Sequence, residues 1–111
     1  MEKNNGKPFM LQILRGMDIT VSMMTFICLC HKFKDYLPEA EKVGAAQEEF
    51  DKSLLAALDG DKVISSAVRK KGNAFLDELE RFQTLPPAKD KDIKKLIGDM
   101  KKATREVLKV G

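Results

Sequence analysis

The chain's only two cysteines and its only histidine, Cys28, Cys30 and His31, fall within four residues, so metal and thiol chemistry must be considered there first. Cys28 and His31 lie three apart, which on a helix puts them on one face. A structural zinc site wants four ligands, and with no other Cys or His present a carboxylate would have to complete the shell. Cys-x-Cys-His also lacks the two-residue spacer of a c-type haem attachment site. One residue apart on a helix, the two thiols point about 200° from each other, too far round for a mutual disulfide. Burial in an apolar run raises a thiol pKa, the wrong direction for a nucleophile. Both cysteines are therefore expected as small core residues, with His31 at the wet end of the first helix. No metal and no cofactor is expected, and a reducing, cytoplasmic compartment is the simpler setting.

The carboxylates offer no better site. Glu48, Glu49 and Asp51, and separately Asp77, Glu78 and Glu80, cluster beside lysines, with no glycine-rich loop and no Glu-x-x-His motif near them. The chain reads as a non-enzyme. A basic patch for phosphates can be drawn from Arg69, Lys70 and Lys71 with Lys95, Lys102 and Lys109. A weak helix-turn-helix reading accompanies it, running from Leu54 to Leu58 through a turn at Asp59, Gly60 and Asp61 to a helix presenting Ser65, Ser66, Arg69 and Lys70. Two acids in that turn would face a nucleic-acid backbone badly, so a nucleic-acid-binding regulator stands as the alternative and not the main expectation.

The elements that must position these residues are helical. Four segments carry a 3.6-residue apolar period with breakers between them. Residues 1–7 read as a loose leader, and residues 8–111 as one domain. Helix one is expected from about Pro8 to Tyr36, with Arg15, Asp18, Ser22, Thr25 and Lys32 forming one narrow polar stripe. Leu37-Pro38 reads as a break, because proline disfavours helix at the preceding residue. Helix two then runs to about Leu58 with Val43, Ala46, Phe50, Leu54, Ala57 and Leu58 on its apolar face, and Asp59-Gly60 stops it. Asp61 is the expected cap of helix three, whose face is Ile64, Val68, Phe75, Leu79 and Phe82 and whose period passes unbroken through Gly72 and Asn73. Leu85-Pro86-Pro87 ends it. Asp90 or Asp92 opens helix four, where Ile93, Met100 and Val107 repeat every seven residues, with Leu96, Ala103 and Val110 three later and Ile97 and Thr104 bordering them. Each of Asp92, Asp99 and Glu106 precedes a lysine by three, so the lysine row is expected to be a solvated, paired face.

The whole carries a formal net charge of only +3, unevenly placed. Leu37 to Gly60 holds six acids against Lys42 and Lys52, whereas Pro86 to Gly111 holds eight bases against four acids. The basic fourth helix is accordingly expected beside the acidic second one. With 43% hydrophobic and 33% charged residues the chain is too apolar for disorder and too charged for a mostly membrane-buried protein. The apolar run Ile19 to Cys30 is twelve residues long, short of the roughly 20 that span a bilayer, and extending it takes in Arg15 and Asp18. Asp18 before the run and the lack of a small-x-small site after it also argue against a signal peptide.

The expected architecture is all-α, an antiparallel bundle of about four helices with a long and very apolar first helix. That helix is the feature with functional content, because three shorter amphipathic helices do not easily cover it all round. Met17, Met24 and Ile27 are expected on one of its sides and Met10, Leu14 and Val21 on another, giving a partner-binding surface. The expected function is a protein-binding or regulatory module that self-associates as a homodimer through helix one.

Overall fold

Asp90 shows how local chemistry places an element. Its Oδ1 accepts hydrogen bonds from the backbone N–H groups of Asp92 at 2.9 Å and Ile93 at 3.2 Å, and so caps the helix that follows. The computed structural model describes the backbone of residues 2–59 and 66–109 and the side chains of residues 13–57 and 66–109. Its elements are α1 (Glu2–Cys30), α2 (Leu37–Asp59), α3 (Ser66–Gln83) and α4 (Lys91–Lys109), with 3-10 turns at Lys34–Tyr36 and Pro86–Lys89 and no strand among the described residues.

The boundaries of α1 depart from expectation at both ends. The helix begins at Glu2 and crosses Pro8, forgoing the bond that the missing proline N–H would make, so the expected leader is helical from Glu2. It ends at Cys30 and not near Tyr36. There the N–H groups of His31, Lys32 and Phe33 each donate to the carbonyl three residues back, at 3.3, 3.2 and 2.8 Å, which tightens the last turn. The chain reverses at Phe33, with φ −120° and ψ 67°. Leu37 is helical, at φ −58° and ψ −41°, although it precedes Pro38. Its N–H donates to the Lys34 carbonyl and its side chain packs against the core, which outweighs the steric preference against helix before proline. Pro38 then sits in the first turn of α2, where its absent donor has no partner to lose.

α2 is described to Asp59, and Gly60, Asp61 and Ile64, which carry the expected stop, cap and first apolar position of helix three, lie outside the described residues. α3 continues through Gly72 and Asn73. Neighbours in sequence are antiparallel neighbours in space. Gly16, Thr20 and Ile27 of α1 meet Leu54, Gln47 and Gly44 of α2, in descending order. Arg15 of α1 pairs with Glu106 of α4, and Lys32, just past the end of α1, pairs with Asp90, just before α4, so α4 runs antiparallel to α1 and closes the bundle. Phe26 of α1 meets the ring of Phe82 edge-on at 5.0 Å, and Phe50 of α2 stacks on Phe75 at 6.2 Å, which ties α1 and α2 to α3.

Helix pairing overturns one expectation. α4 packs on α1 and α3, and the acidic α2 packs on α3 and α1. Glu49 of α2 finds its base in Lys71 of α3, at 3.4 Å. Nor do the acids of α4 pair forward by three. Lys95 pairs with Asp99 at 3.3 Å, four residues on, and Glu106 turns to Arg15. Lys101, only 16% exposed, donates to Gln83 at 2.9 Å and lies 3.6 Å from Glu80, bridging α3 and α4.

An interaction surface on the first helix

α1 is apolar on two opposite sides. Ile19, Met23, Phe26 and Cys30 recur at steps of four, three and four, are no more than 5% exposed, and face the bundle. Half a turn away, Leu14, Met17, Val21 and Met24 recur at three, four and three, and are 52%, 59%, 63% and 65% exposed. At about 100° per residue these four fall within one arc of about 80°, so they form a single outward stripe. Cys28 continues it and is also exposed, whereas Cys30 is buried; the expectation that both cysteines are core residues holds for Cys30 alone.

The division of this surface into two sides is likewise corrected. Met17 and Met24 share their face with Leu14 and Val21, because steps of three and four return to the same side of a helix. Ile27 sits about 60° beyond Met24 and is half-buried towards α2, where its Cδ1 would lie 4.0 Å from a Cβ on Gly44. The side chain of Met10 lies outside the described residues. Two residues outside the expected partner surface join it, Ile13 at 39% exposed and Leu55 of α2 at 57%. Leu55 occupies the solvent side of an otherwise ordinary amphipathic helix, and an isolated apolar residue there carries no signal until α1 is placed beside it.

Between the stripe and α2 lies a groove of about 350 Å³ with Gly16, Thr20, Leu54 and Leu55 among its walls. Gly16 permits this close approach, since a Cβ there would stand 3.2 Å from Leu54 Cδ2. Beneath it the Thr20 hydroxyl donates to the Gly16 carbonyl at 3.0 Å and accepts from Gln47 Nε2 at 3.2 Å, so the largely buried amide is satisfied. The opposite flank is polar. Arg15 donates to Glu106 and to Asp18, the latter at 3.0 Å, and these bonds hold its guanidinium more firmly charged than usual. The expected polar stripe of Arg15, Asp18 and Ser22 thus lines the cleft towards α4.

The remaining candidates disperse. Burial, with a smaller contribution from the charge of Asp90, pushes the Cys30 thiol up to about 11, which makes it a packing group. His31 is exposed at the end of α1. No group of three or more His, Cys, Asp or Glu with metal-holding geometry occurs among the described residues. The carboxylate clusters are drawn into ion pairs, Glu49 with Lys52 and Lys71, Glu78 with Arg81, and Glu80 with Lys101. Of the basic residues, Arg69 donates to the Leu108 carbonyl at 3.0 Å, which brings it with Lys70 to the end of α4 near Lys109. Lys71 turns to Glu49, and Lys95 lies about 21 Å up the α4 axis from Lys109, with Asp99 and Glu106 interleaved around Lys102. One further property belongs to α1. Its window Ile13–Cys30 is long and apolar enough to cross a membrane by length and composition, and 28% of it is buried. No family model, no curated protein and no solved structure matches the chain.

Proposed function

We propose that the protein is a non-enzymatic interaction module that self-associates through the outward stripe of α1. The observation that carries this reading is the pair of opposed apolar seams on one helix, the inner one buried and the outer one more than half exposed from Leu14 to Met24. A monomer has no use for the second seam, and its 4-3 spacing is the pattern that packs against another helix of the same spacing. Six exposed apolar side chains, with Ile13 and Leu55 included, at about 80 Å² each, amount to about 500 Å² per copy and about 1,000 Å² in a two-fold pair. That is the lower bound for a specific interface, and it implies association in the micromolar range and not an obligate dimer.

Three considerations favour this over the rivals. Crossing a bilayer would pull Ile19, Met23, Phe26 and Cys30 out of the core and carry the Arg15–Glu106 pair into hydrocarbon, dismantling the bundle. Nucleic-acid binding wants a continuous basic stripe, and here acids interrupt it. The two cysteines carry free thiols, which suits a reducing, cytoplasmic setting.

The test is size exclusion with light scattering at about 100 μM, where wild type is expected near twice 12.5 kDa. Met24→Asp should return the monomer mass with its helical circular dichroism intact, since Met24 is 65% exposed in the single chain. Asp77→Lys, on the exposed face of α3 away from α1, should leave the dimer unchanged. A wild-type monomer at this concentration would overturn the reading.

A further inference from the structure

Resting on that reading, we infer that two copies pair their first helices antiparallel about a two-fold axis near Ile19, with Leu14 packed against the partner's Met24 and Met17 against the partner's Val21. The exposed stripe alternates by type. Written as a heptad, one position holds Leu14, Val21 and Cys28 and the other holds Met17 and Met24. A parallel pair would stack each residue on its own copy, which makes wide methionine layers alternate with narrow valine and cysteine layers along one seam. An antiparallel pair sets Met24 against the partner's Leu14 and Met17 against the partner's Val21, so no layer holds two methionines or two valines, and the helices can approach more evenly.

The flanks point the same way. On the α2 side, Ile13 and Ile27 border the stripe with Leu55 beyond them, and on the α4 side Asp18 and Thr25 do. An antiparallel pair brings each flank against its own copy, so Ile13 approaches the partner's Ile27 and the apolar groove with Leu55 is covered. A parallel pair would press Ile13 against the partner's Asp18. The antiparallel pair does bring Asp18 near the partner's Asp18, and the Arg15 guanidinium held 3.0 Å from Asp18 within each copy offsets that repulsion.

Orientation is read by thiol cross-linking. In the antiparallel pair Cys28 lies about 27 Å along the axis from the partner's Cys28, whereas in a parallel pair the two would face each other within disulfide reach. Leu14→Cys and Met24→Cys are each made in a Cys28→Ser background. These positions are 52% and 65% exposed, and retained helical circular dichroism shows that the fold survives. With copper phenanthroline and air as oxidant, each variant alone and the wild type should stay at 12.5 kDa on a non-reducing gel, and a mixture of the two variants should give the doubled mass. Cross-linking of wild type through Cys28 and of each variant alone would overturn the orientation while leaving self-association in place. A doubled mass in solution with no cross-link in any combination would overturn the register. A single mass in solution would sink both this inference and the function on which it rests, so the failures are distinguishable.

Discussion

Gly72→Ala separates helix propensity from packing at one position. Gly72 is buried in the middle of α3, where α2 and α4 both approach the helix. Propensity alone favours alanine by about 1 kcal/mol, because a helical glycine loses more backbone freedom on folding. Packing opposes it. A Cβ at this site would stand 3.0 Å from Leu108 Cδ2, 3.1 Å from Leu108 Cδ1 and 3.0 Å from Phe50 Cε1. Phe50 is 2% exposed and stacked on Phe75, so it has nowhere to go, and the shift must be taken by the half-buried Leu108. Overpacking of this kind costs about 1–3 kcal/mol, and against the propensity gain we expect a net loss of about 1 kcal/mol. Gly98→Ala is the control, since nothing lies within 4 Å of its Cβ and it sits on the exposed face of α4. It should stabilise by about 0.5–1 kcal/mol. Urea unfolding followed by circular dichroism reads both, with the two midpoints moving in opposite directions from wild type. If Gly72→Ala stabilises as much as Gly98→Ala does, the close approach at Gly72 does not constrain the bundle and the reasoning fails.

The buried hydroxyl of Thr104 has no hydrogen-bond partner among the described residues, so Thr104→Val should stabilise by about 1 kcal/mol in the same assay, and a loss of that size would show that the hydroxyl is satisfied in solution. Cys30 makes the protein sensitive to alkali. Its thiol titrates near 9.0 when exposed and near 11 when folded, so the native state holds the proton longer, and the stability this confers is fully present below pH 9 and is lost as the pH rises towards 11. The loss should be on the order of 2 kcal/mol across that window and absent in Cys30→Ala, and parallel pH profiles for the two proteins would refute it.

Much of the scaffold was legible in the chain. The faces of α3 and α4 could be read because each is apolar on one side only, so the period also names the buried residues, from Val68 to Phe82 and from Ile93 to Val107. Asp90 as a cap follows from side-chain chemistry within one turn. On α1 the same method loses its direction. A helix apolar on two sides has a period that fits either side, and nothing local says that Ile19, Met23 and Phe26 turn inward while Leu14, Met17, Val21 and Met24 turn out. The choice comes from shape at long range, where Phe26 reaches Phe82 and Leu54 fits over Gly16. The same holds for charge. The acidic α2 and basic α4 suggested a pair, yet exposed ion pairs contribute little against buried aromatic and aliphatic contacts, and it is those contacts that set α4 beside α1 and bring Arg15 to Glu106. Periodicity records the angle at which a side chain leaves its helix. Which neighbour waits at that angle is decided by the packing of residues far apart in sequence, and for α1 that packing leaves one seam largely uncovered by the described residues.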